Sequence, residues 1–116
     1  MPAGHILIVA PETDLRRSLE FALEADGYRV TAWPEICTDP GGAFDCTVID
    51  EGALSGPAAQ VAAFCDAARP VVLLSDNPIA WLVDRIDQRL DKPLLGSALS
   101  VAVSAAIAFC HAAAQP

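Results

Sequence analysis

Apolar residues fall along this chain in two alternating patterns, short unbroken runs and longer stretches at helical spacing. His5 to Ala10 is a continuous apolar run of the kind that makes a strand buried on both faces, and Pro11 stops it. Behind it Leu15, Leu19, Ala22 and Leu23 recur at helical spacing, with Thr13 or Asp14 placed to cap the helix and Gly27 to end it in left-handed backbone. Tyr28 to Trp33 predicts a second strand. The Asp39-Pro40-Gly41-Gly42 breaker then leaves room for only a short second helix, or none.

The run Phe44-Asp45-Cys46-Thr47-Val48-Ile49-Asp50 sits at the centre of the pattern. Cys46 to Ile49 is too short for a helix and rich in β-branched residues, so it predicts a buried central strand with Asp50 at its carboxyl end. A loop is expected from Glu51 to Gly56, then a helix with Pro57 in its first turn, its apolar face carrying Val61, Phe64 and Cys65, ending about Ala68. Pro70 to Ser75 predicts a fourth strand that turns polar only at Ser75. A short helix from Ile79 to about Ile86, a fifth strand at Arg89 to Asp91 and a last helix from Leu95 to about Ala113 complete the order. Strands alternating with helices give an α/β fold with a parallel sheet, here a single domain over residues 1–116.

Composition narrows the function. An apolar content of 53% is ample for a core, and a net charge of -8 leaves no electrostatic footprint for nucleic acid or an anionic membrane. Cys37, Cys46, Cys65 and Cys110 include no C-x-x-C pair, so reduced, mostly buried thiols in a cytoplasmic setting are expected. No signal peptide or membrane span is read. His5 and His111 have no spaced partner, Gly41-Gly42 does not lead from a strand into a phosphate-binding helix, and no nucleophile stands at recognisable spacing from a base. No catalytic residue and no metal ligand is assigned. What remains is a carboxylate, Asp50, and a hydroxyl, Ser75, both at strand ends, where open α/β sheets gather ligands and chemistry.

The order of a first strand, a helix starting at Asp14-Leu15-Arg16-Arg17, a strand ending in Asp50, a strand ending in Ser75 and Lys92-Pro93 after a short last strand resembles the receiver domain of bacterial response regulators. The resemblance spans essentially the whole chain. It implies a flavodoxin-like three-layer sandwich with five parallel strands and a role in two-component phosphorelay signalling. It places the phosphoacceptor at Asp50, the switch hydroxyl at Ser75 and the lysine that pairs with the carboxylate at Lys92.

Departures from that pattern are as informative. The two adjacent acids that hold magnesium in the family fall on Ala10 and Pro11, neither of which can be a side-chain ligand. Glu12 follows, at a position where family members carry an acid that points elsewhere. Magnesium demands near-octahedral oxygen ligands, so weak or absent binding and no cofactor are expected. Asp76 replaces a small residue beside the switch hydroxyl, Leu54 replaces the proline four positions after the phosphoacceptor, and Arg89 replaces the aromatic switch residue. A pseudo-receiver acting through protein contacts, and not an enzyme, is the expectation. A weak phosphoacceptor using Asp50 is the nearest alternative, and a small-ligand or flavin-binding flavodoxin-like domain is one of another class.

The last helix bears on partners. Leu99, Ala102, Val103, Ala106, Ile107 and Cys110 make one apolar side, yet Val101, Ala105, Ala108 and Phe109 are apolar on the other. A helix apolar all round is covered on more than its own sheet. A homodimer through this helix, or a docked histidine kinase or output protein, is expected, with Val101, Ala105, Ala108, Phe109 and Arg89 at the contact.

Overall fold

The computed structural model describes residues 4–36, 44–54, 57–68, 70–75, 88–90 and 98–114. In chain order the elements are β1 (His5–Val9), α1 (Thr13–Ala25), β2 (Arg29–Trp33), β3 (Cys46–Asp50), a 3-10 turn (Glu51–Ala53), α2 (Ala58–Ala68), β4 (Val71–Leu74), β5 (Gln88–Leu90) and α3 (Ala98–Ala114). The five strands form one sheet in the order β2-β1-β3-β4-β5, and every pairing is parallel. β3 is the middle strand, and all five of its residues are buried.

Strand alternation divides the core into two layers. Ile6, Ile8, Cys46, Val48, Val72 and Leu74 face one way, where Leu19 and Leu23 of α1 and Leu99, Ala102, Val103 and Ala106 of α3 cover them. Leu7, Val9, Ile49, Val71 and Leu73 face the other way, under Val61, Phe64, Cys65 and Ala68 of α2. The three-layer sandwich follows directly from these runs. A strand apolar at consecutive positions needs a helix on each face.

Helix ends differ from the sequence expectation in one place. The N-cap of α1 is Glu12, in extended backbone and without a side-chain cap bond, so Thr13 and Asp14 lie inside the first turn. The reason is local: the Glu12 carbonyl accepts the Arg16 N–H at 2.9 Å, which closes the first helical turn one residue early. At the other end Gly27 takes φ 96°, with Gly27 N–H on the Glu24 carbonyl and Tyr28 N–H on that of Leu23. That pair of bonds is a Schellman ending, and it needs the left-handed residue that glycine supplies.

The expected loop after β3 begins with the 3-10 turn, β5 begins one residue earlier than expected, at Gln88, and the expected ends at Asp91 for β5 and Leu95 for α3 lie outside the described residues. Residues 34–36 and 44–45, between β2 and β3, carry no helix, and the expected Asp-Pro-Gly-Gly breaker lies outside the described residues. So does the helix expected from Ile79 to Ile86. Cys46 and Cys65 are buried, as expected of them. Among the described residues no helix is long and apolar enough to cross a membrane.

Candidate functional site

Because all strands run the same way, the residues that follow β1, β3 and β4 are delivered to one edge of the sheet. Val9 is level with Ile49, and Asp50 with Leu74, so Ala10, Asp50 and Ser75 come together within one residue step. Asp50 is only 6% exposed. Its Oδ2 accepts the Gly52 N–H at 3.0 Å and so caps the 3-10 turn. A Cβ on residue 52 would lie 2.9 Å from Asp50 Oδ2, so any other residue there would push the carboxylate aside.

Ser75 is buried, and its N–H donates to the Leu90 carbonyl, continuing the ladder from β4 to β5. Its hydroxyl donates to Oε2 of Glu51 at 2.5 Å, a short charge-assisted bond. A carboxylate from the turn after β3 is thereby fastened to the end of β4.

On the β1 side, Ala10 is buried and its N–H donates to the Trp33 carbonyl. The carbonyls of Ala10 and Pro11 accept from Nη1 of Arg16 at 2.8 and 3.3 Å. The first turn of α1 thus lays a guanidinium against the end of β1, where neither Ala10 nor Pro11 offers a side-chain oxygen. Among the described residues no group of three His, Cys, Asp or Glu side chains is placed to hold a metal ion.

No family model matches the chain, and no characterised protein matches it in sequence. Solved structures do. A response regulator receiver domain protein from Clostridium thermocellum is similar at a TM-score of 0.77 and 22% identity, over 94% of this chain and 98% of that one. The chain has the receiver fold. Full-length FixJ from B. japonicum is similar at a TM-score of 0.74 and 20% identity, over 98% of this chain and 62% of FixJ. A receiver domain protein from Bacillus halodurans gives 0.72 and 15%, over 90% of this chain and 96% of its own.

Within the receiver fold, Asp50 and Ser75 share the carboxyl edge as the sequence predicted, with Ala10 and Pro11 beside them. Lys92 and Asp76 lie outside the described residues, as do the side chains of Arg89 and Phe109. On α3, Val101 is 63% exposed, and Ser104, Ala105 and Ala108 are exposed as well. The helix has no Asp, Glu, Lys or Arg at all. His5, expected to have no site role, bonds Thr31 Oγ1 through Nε2 at 2.8 Å and packs edge-on against Phe44.

Three features escaped the sequence reading. In sequence Arg16 is part of a helix start and Glu51 a loop residue, and Phe21 carries no signal, although it is 77% exposed on α1. The signal for Glu51 was present in its adjacency to Asp50. Nothing in sequence says that a turn will carry it to a hydroxyl 24 positions away.

Proposed function

We propose that this chain is a receiver-like signal-transduction module that works through protein contacts, without magnesium-dependent phosphorylation of Asp50. The observation that carries this is the Arg16 guanidinium on the carbonyls of Ala10 and Pro11. The resemblance puts two carboxylates and a divalent cation at that end of β1, and here a fixed monovalent cation and two residues without side-chain oxygen stand there instead. The donor set does not fit magnesium, which needs near-octahedral oxygen ligands.

The Glu51 carboxylate supports the same reading. A phosphoryl group on Asp50 would add about 1.5 to 2 negative charges beside it, with Ser75 already bonded to Glu51. The module then signals by what docks on it. The uncharged outer face of α3 suits a second copy or a protein partner such as a histidine kinase or output protein, in the cytoplasm.

The test is intact mass after incubation with magnesium and an acyl phosphate donor. An unmodified chain is expected. A phosphoryl adduct that disappears in Asp50→Asn would overturn the proposal in favour of a working, if weak, phosphoacceptor.

A further inference from the structure

A cleft of about 250 Å³ opens over the carboxyl ends of β1, β2 and β3, separate from the Asp50 and Ser75 side chains. Three successive connections wall it: Pro11 after β1, Pro34 to Ile36 after β2, and Gly52 with Ala53 in the 3-10 turn; Gln60 closes it from the first turn of α2. The position follows from the topology. β1 leads outward to β2, and the chain then crosses back to β3 on the other side, so the strand order reverses between β1 and β3. Ligands of open α/β sheets bind in the crevice beyond such a reversal.

The lining sets the chemistry. Pro11, Pro34, Ile36 and Ala53 offer apolar surface, Gln60 an amide that can donate and accept, and Glu35 a carboxylate; among the described residues no Lys, Arg or His lines the cleft. An anion placed there would meet Glu35, with the Arg16 guanidinium turned to the carbonyls of Ala10 and Pro11, in a chain of net charge -8. A cation would be drawn in. The volume is slightly below the roughly 300–1,000 Å³ of sites for drug-sized ligands, so the occupant is compact.

We infer that the cleft binds a small organic cation, an amine or amidinium on a compact apolar body. The charge lies against Glu35, the body against the two prolines and Ile36, and Gln60 orients it. The floor of the cleft links it to the neighbouring edge: Gly52, which lines it, is the residue whose N–H holds Asp50 Oδ2. Occupancy is therefore readable at the Gly52 amide.

The experiment is an amide NMR titration of the full chain with benzamidine, and in parallel with benzoate and benzyl alcohol, which match its shape with opposite or no charge. Benzamidine should give saturable shifts at Glu35, Gly52 and Ala53, and the other two little or none. Glu35→Gln should weaken benzamidine about two- to fivefold. Glu35 is exposed, so Glu35→Lys should fold and reverse the preference towards benzoate. Absence of saturable shifts through the millimolar range would overturn the inference. So would equal binding of all three probes, or benzamidine binding that ignores both substitutions.

Discussion

The Ser75 hydroxyl donates to Glu51 Oε2 at 2.5 Å, which ties the turn after the central strand to the end of its neighbour. Hydrogen bonds to charged groups contribute about 1.5–3 kcal/mol, with the lower end expected where one partner is half-exposed, as Glu51 is. Glu51→Ala and Ser75→Ala should therefore be non-additive. A double-mutant cycle in denaturant melts is expected to show a coupling of about 1–2 kcal/mol, and additivity would mean that the bond contributes nothing in solution.

Magnesium should not bind. Calorimetric titration to low millimolar metal is expected to give only heats of dilution, identical in the wild type and Asp50→Asn. A saturable site lost on Asp50→Asn would mean that Arg16 can be displaced from the end of β1.

Asp50 is nearly fully buried, and the resemblance pairs it with Lys92. Lys92→Met is expected to destabilise the fold by roughly 1–3 kcal/mol, and the double variant with Asp50→Asn by less, because removing one partner leaves a charge uncompensated. A neutral Lys92→Met in urea melts would show that the lysine is solvated.

Thr47 lies fully buried in β3, and among the described residues its Oγ1 has no hydrogen-bond partner. A buried hydroxyl left without a bond costs about 1–3 kcal/mol, so the isosteric Thr47→Val should stabilise the domain by about 1 kcal/mol. Thermal melts would register this as a higher midpoint, and a lower one would reveal a partner for the hydroxyl.

The α3 surface is tested by charge. Val101→Glu with Ala105→Arg changes two exposed positions, so the fold should change by no more than about 0.5 kcal/mol. Sedimentation over a hundredfold dilution should show wild-type self-association that the variant lacks. A wild type that is monomeric throughout would leave only a different protein as the partner of α3.

Much of the fold was legible because unbroken apolar runs are unambiguous when breakers bound them. Ile6 to Val9 and Cys46 to Ile49 had no alternative as elements, and the parallel sheet followed from the helices between them. The faces of α3 were legible too, since Leu99, Ala102, Val103 and Ala106 recur at helical spacing and are the residues that the structure buries. Element ends were less so. Thr13 and Asp14 are both good caps by residue type, but the helix start was decided by a backbone bond to Glu12 that side-chain preference does not report. The site was half legible. Asp50 and Ser75 declare themselves by ending apolar runs, whereas Arg16 binds backbone carbonyls, which every residue has, and Glu51 depends on a turn and a distant strand.

The position of β1 inside the sheet has a kinetic consequence. It precedes the other four strands in the chain, yet it is bonded on both sides, to β2 and to β3. During synthesis α1 and β2 can close one side early. The other side remains an open row of N–H and C=O groups until Cys46 to Asp50 arrive, with the apolar faces of Ile6 to Val9 beside it. Open strand edges with apolar faces template wrong pairings. The interval between β2 and β3 is therefore when the nascent chain is most exposed to aggregation, and substitutions that slow β3 docking should lower the soluble yield before they lower the stability of the finished fold.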